Sequence, residues 1–90
     1  MAVSKKSKQK SSLSAWNRAI ASVLSQTRRD ADVSQAALAR AMGWHRSKVV
    51  KIEAATVSIR AAEMILVAQA LKIDPQKLLA RVLRWNESAA

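Results

Sequence analysis

The stretch 35–52, QAALARAMGWHRSKVVKI, constrains the fold of this chain more than any other segment. Ala39 stands four places after Gln35, where two crossing helices tolerate nothing bulkier than a methyl group. Gly43 stands eight places after Gln35, where the chain turns sharply and a left-handed backbone costs glycine nothing. Leu38, Met42, Trp44, Val49 and Ile52 place apolar contacts on both sides of that turn. The spacing predicts two short helices joined by a tight turn. With Val49 and Ile52 facing inward, the second helix, HRSKVVKIEA, turns Arg46, Ser47, Lys48 and Lys51 outward.

The charge balance points the same way. Sixteen Lys and Arg against six Asp and Glu give a formal net charge of +10, a surplus that suits a polyanionic partner. Anionic membrane surfaces would attract it too, so charge alone does not choose. There is no cysteine, hence no disulfide framework, thiolate chemistry or cysteine-based zinc site, and the single His45 cannot build a metal site. No cofactor is expected. No apolar run approaches the roughly 20 residues of a membrane span, and the basic N-terminus lacks the apolar stretch of a signal peptide. A cytoplasmic protein is expected. An enzyme is not, for want of paired carboxylates, a nucleophile–base pair or a phosphate-cradling glycine loop.

Along the chain, residues 1–12 (MAVSKKSKQKSS) carry Lys5, Lys6, Lys8 and Lys10 and no acid. So little apolar surface cannot offset ordering entropy, so a disordered basic arm, or a solvated tail, is expected there. Helix then follows helix. Leu13, Trp16, Ile20, Val23, Leu24 and Thr27 recur at helical spacing and predict a long first helix capped by Ser12 or Ser14. The DADV tetrapeptide ends it, Ser34 caps a short second helix to Met42, and the third runs from about Arg46 to Ala54. After ATVS, a fourth helix is predicted with Ala62, Ile65, Leu66, Ala68 and Leu71 on its apolar face. The fifth has a sharp start: Asp74 as cap, Pro75 at the first helical position, and Ile73 able to meet Leu78 one turn in. Five helices over residues 13–86 make one all-α domain, and residues 87–90 are expected as a disordered tail. Trp16 and Trp44 are expected in the core. Leu79, Val82, Leu83 and Trp85 form an apolar strip at the domain's end and are expected to make a dimer interface.

This layout resembles the Cro and lambda-repressor type of helix-turn-helix, also called the Xre type, from about Leu13 to Leu83. The resemblance is carried by Ser34-Gln35, Leu38-Ala39, Gly43, Val49, Ile52-Glu53 and the stretch VAQALKIDPQKLL. It implies a five-helix lambda-repressor-like fold with the helix-turn-helix at helices two and three. It further implies a sequence-specific, double-stranded DNA-binding transcriptional regulator, a repressor, of the small bacterial, prophage or plasmid kind. Such a protein would lie at the nucleoid when bound. Arg28 and Glu53 match the family's buried ion pair. Arg46, Ser47 and Lys51 match its base-reading positions, with Lys48 at a base or a phosphate. Gln35 matches the glutamine that holds a phosphate at the start of helix two, with Ser34, Arg40 and His45 assigned to phosphates around it. The lysine arm is similar to the arm that wraps around DNA, and dimers on a palindromic site imply a homodimer through helix five.

Two features depart from the family pattern. Asp32, Ala55 and Lys72 stand near positions where the family often has glycine, so those loops are expected to differ in shape. His45 stands where a Ser or Thr would cap helix three. Two other function classes stay open: an antitoxin-type interaction module with a toxin or other protein partner, and a non-specific nucleic-acid or membrane-surface binder.

Overall fold

The structure, a computed structural model, describes the backbone of residues 2–89 and the side chains of residues 13–86. Its elements are α1 (Ala2–Asp30), α2 (Gln35–Met42), α3 (Arg46–Glu53), α4 (Ala61–Ala70) and α5 (Pro75–Ala89), with no strand among the described residues. The all-α, five-helix, lambda-repressor-like arrangement is thus present, with α2 and α3 as the crossing pair.

Where each helix stops follows from one repeated device. Asp32, Gly43, Ala55 and Lys72 all have a left-handed backbone, with φ of 60°, 70°, 61° and 59°. In each case the next residue's N–H reaches the carbonyl five residues back: Val33 to Arg28, Trp44 to Ala39, Thr56 to Lys51 and Ile73 to Ala68. This is the Schellman closure, which satisfies carbonyls that the helix end leaves without a partner. The loops at Asp32, Ala55 and Lys72 therefore keep the turn that glycine would favour, against the expectation that they would differ. The Schellman hydrogen bonds and the burial of Val33 and Ile73 against the core override the local cost.

Helix starts are equally local. The Ser34 side chain accepts from Ala37 N–H at 3.0 Å, and Asp74 Oδ1 accepts from Gln76 N–H at 2.8 Å beside Pro75. α3 opens on His45 with no side-chain cap bond.

The core is drawn from every helix. Ala19, Val23 and Leu24 come from α1, Leu38 and Ala39 from α2, and Val49 and Ile52 from α3. Val67, Ala68 and Leu71 come from α4 and its end, and Leu78 and Val82 from α5. α1 packs on α3 and α5, and α4 packs on α2 and α5, so the α2–α3 pair rests on a frame made by the other helices. Trp16 and Trp44 are half-buried against this core.

Several expectations are corrected. Val82, assigned to a dimer interface, is 1% exposed. It lies one turn beyond Leu78 on the stripe of α5 that closes the core, so it is not free to meet a partner. The α4 face is also rotated: Met64, Val67, Ala68 and Leu71 turn inward at helical spacing, which leaves Ala62, Ile65 and Leu66 exposed. Leu13 is 70% exposed, lying six residues before Ala19, the first core residue of α1. Finally, α1 begins at Ala2 and takes in the segment expected as a separate disordered arm. No Gly or Pro between Ala2 and Ser12 interrupts the backbone once the packed half of the helix has nucleated it. α5 likewise extends to Ala89, through most of the expected tail. The side chains of Lys5, Lys6, Lys8 and Lys10 lie outside those described.

Candidate nucleic-acid interface

The crossing of α2 and α3 creates a chain of polar contacts that no local sequence signal announces. It starts in α1, where Arg28 donates to Val33 O at 2.7 Å. The same guanidinium grips Glu53 at the end of α3 through Nε to Oε2 at 2.7 Å and Nη2 to Oε1 at 3.1 Å. The two side chains are only 10% and 8% exposed, so the bidentate pairing is what makes burial of either charge tolerable.

Glu53 then fixes Gln35. A carboxylate can only accept, so Gln35 turns its amide nitrogen toward Glu53 Oε1, at 3.1 Å. That orientation leaves the amide oxygen facing outward, where Arg46 Nη2 donates to it at 3.1 Å. The first residue of α2 thus positions the first residue of α3. Arg46 is exposed, and its fork is oriented by a buried ion pair on the far side of Gln35.

The rest of the outward face of α3 is exposed and carries no acid. Ser47 and Lys51 are exposed, and so is Val50, at 37%. Val50 was absent from the residues singled out in the sequence, although it follows Arg46 by one helical turn and the period alone places it there. Arg40 and His45 are exposed on the adjoining surface. The Gly43 turn sets the angle between the helices. A Cβ there would meet nothing within 4 Å, so the need for glycine lies in the backbone conformation and not in crowding.

Lys48 behaves differently. Although it belongs to α3, its ammonium turns to α4 and meets Glu63 Oε2 at 2.7 Å. It also lies over the Trp44 ring, 4.2 Å from the centroid, within the range of a cation–π contact. Glu63 is fixed in turn, because its Oε1 accepts the Arg60 N–H at 3.0 Å in the first turn of α4. The hydrogen bond from Lys48 and the one from the Arg60 backbone hold the Glu63 carboxyl below the ordinary carboxylate range. Sequence reading missed Glu63, since nothing in the spacing of Lys48 and Glu63 marks them as partners. A shallow groove runs between α3 and the loop before α4, lined by Trp44, His45, Ser47, Lys51 and Arg60 as well as this pair.

Among the described residues no group of His, Asp or Glu is arranged to hold a metal ion, and no helix is long and apolar enough to cross a membrane. Two short helices, a left-handed glycine between them and a cationic outward face on the second make up the centre of this candidate interface. A helix-turn-helix domain family matches residues 19–82, which spans α1 from its first core residue to Val82 in α5. The chain belongs to the helix-turn-helix domain family. The arrangement fits the Xre-type, lambda-repressor-like branch of that architecture. No curated protein shows significant similarity to the chain.

Proposed function

We propose that this helix-turn-helix protein is a sequence-specific double-stranded DNA-binding regulator, a repressor, that reads the major groove with α3. The observation that carries the reading is the outward face of α3: Arg46, Ser47, Val50 and Lys51, exposed, free of acid and mounted on a buried network. Arg46 offers a fork for guanine, Lys51 a single ammonium, Ser47 a hydroxyl, and Val50 a methyl surface for thymine. Ser34 uses an oxygen lone pair for its cap bond and keeps its O–H for a phosphate. Arg40 and His45 complete the phosphate-contacting rim, whereas Gln35, with its amide N–H turned to Glu53 and its oxygen taken by Arg46, serves to seat Arg46.

The functional unit on DNA is a two-fold dimer. With Val82 in the core, the outer stripe of α5 reduces to Leu79 and Leu83, which are 51% and 46% exposed. Leu79 lines an apolar cleft with Ala61, Met64, Ile65 and Pro75, between α4 and α5. We assign this cleft to a second copy; reading an inverted repeat requires the two recognition helices to lie about one DNA turn apart, roughly 34–36 Å. Trp85, 40% exposed, lies elsewhere, on the α1 side of α5 beside Val23 and Arg81.

Selection of bound duplexes from a random pool, followed by footprinting at fixed salt, tests the reading. Arg46→Ala is expected to cost about 1–3 kcal/mol on the selected site and to relax preference at one base pair. An Arg46→Ala protein that binds all duplexes as the parent does would remove α3 from the role of reader.

A further inference from the structure

Lys48 and Glu63 make the only ion pair between α3 and α4 among the described residues. It draws on three elements: the turn supplies Trp44, α3 supplies Lys48 and the first turn of α4 supplies Glu63. The carboxylate cannot swing away easily, because its second oxygen is held by the Arg60 N–H at 3.0 Å. The ammonium has an acid on one side and an aromatic face 4.2 Å away on the other. Arg46, by contrast, meets only a neutral amide. Lys51 stands free on the same face, with no side-chain hydrogen bond or carboxylate partner among the described residues.

A lysine paired in this way, with its side chain still 40% exposed, has its charge offset by the carboxylate 2.7 Å away, so it releases less counterion from DNA while the pair holds. A free lysine at this point would reach whichever phosphate came near, on any sequence, and would strengthen every complex formed by charge alone. Complexes held in register by base contacts would gain less, since the backbone atoms near Lys48 are then fixed by that register.

We propose that Glu63 is a specificity-determining residue which, by locking Lys48 against Trp44, removes one cation from the DNA-binding face and lowers affinity for non-cognate duplexes more than for the cognate site. The inference rests on the DNA-binding reading above and adds to it a role for a residue outside the helix-turn-helix.

Glu63→Gln tests it cleanly, because glutamine can still accept the Arg60 N–H and keep α4 capped. Binding of the selected duplex and of a random-sequence duplex would be measured from 50 to 300 mM salt. The slope of log affinity against log salt is expected to steepen by up to about 0.9 on the random duplex, and its affinity near ~0.1 M salt to rise roughly five- to tenfold. The selected duplex should gain less, so that the ratio between them falls. Lys48→Met supplies an arm that does not depend on how Glu63→Gln folds. A locked lysine predicts a smaller change of slope in the parent background than in Glu63→Gln, and loss of the whole gain when combined with Glu63→Gln. Parallel slopes for Glu63→Gln and parent, or a Lys48→Met effect on the slope as large in the parent as in Glu63→Gln, would overturn the lock while leaving DNA binding in place. A parent that binds neither duplex would overturn both.

Discussion

Glu53 joins three helices through one carboxylate. It accepts from Arg28 in α1 and from Gln35 in α2 while ending α3, so its charge is spread over two donors in a nearly closed space. Arg28→Met would leave that charge buried without its counter-ion, at a cost of about 3–5 kcal/mol. Urea denaturation should show this loss, with much of it recovered in Arg28→Met/Glu53→Met, since two apolar side chains of similar volume leave no orphan charge. The sequence matched Arg28 and Glu53 as a pair through resemblance, and Gln35 as a residue of the site. It could not show that Gln35 joins that pair to Arg46, because the junction exists only once α2 and α3 have crossed. At Glu63 the sign of the pH effect is fixed. Its carboxyl is depressed from an ordinary value of 4.5, so the Lys48 pair is intact above the unfolded value and is lost as pH falls through the lower, folded one. Side-chain NMR titration should give a lower Glu63 midpoint in the parent than in Lys48→Met.

At the scale of elements, the start and end of α2 and the start of α5 were legible, whereas the start of α1 and the end of α5 were not. Ser34, Gly43 and the Asp74-Pro75 pair act on their immediate neighbours, and such chemistry is written locally. The inward face of α4 was not legible. Its segment AAEMILVAQA is apolar almost all round, so the period alone does not choose a face, and contact with α2 and α5 decides it. The three non-glycine left-handed residues give a direct prediction. An L-residue in that conformation costs about 1–2 kcal/mol, part of which glycine returns in unfolded-state entropy. Ala55→Gly and Lys72→Gly should therefore each stabilise the fold by about 0.5–1 kcal/mol, read as a higher urea midpoint at constant m-value. Gly43→Ala should do the reverse by about 1 kcal/mol without distorting the turn, since the added methyl has open space.

For the whole molecule, α5 serves two masters. Its inner stripe, Leu78 and Val82, completes the core, while Leu79 and Leu83 remain outside. The sequence showed an apolar excess on this helix but not which residues were surplus, because two stripes about 100° apart look equally able to face inward. The structure makes the division testable. Leu79→Glu/Leu83→Glu should keep its melting temperature while sedimenting as a monomer and binding an inverted-repeat duplex far more weakly than the parent. Val82→Glu should fail differently, by unfolding, as a charge enters a site with 1% exposure. A parent that stays monomeric on a full-site duplex would exclude the two-fold arrangement.

The polar chain from Arg28 through Glu53 and Gln35 to Arg46 also bears on how such a protein can change its target. Arg46 is tied through Gln35 to the buried pair, so altering it leaves the Gln35 amide oxygen without its donor. Ser47, Val50 and Lys51 anchor no other side chain and can be exchanged without cost to the scaffold. New binding sequences should therefore be reached most readily by randomising positions 47, 50 and 51 while Arg46 is kept. On the proposed reading, the outward face of α3 is divided into a hinge pin and interchangeable bits, and the pin is set from α1, on the buried side of α3.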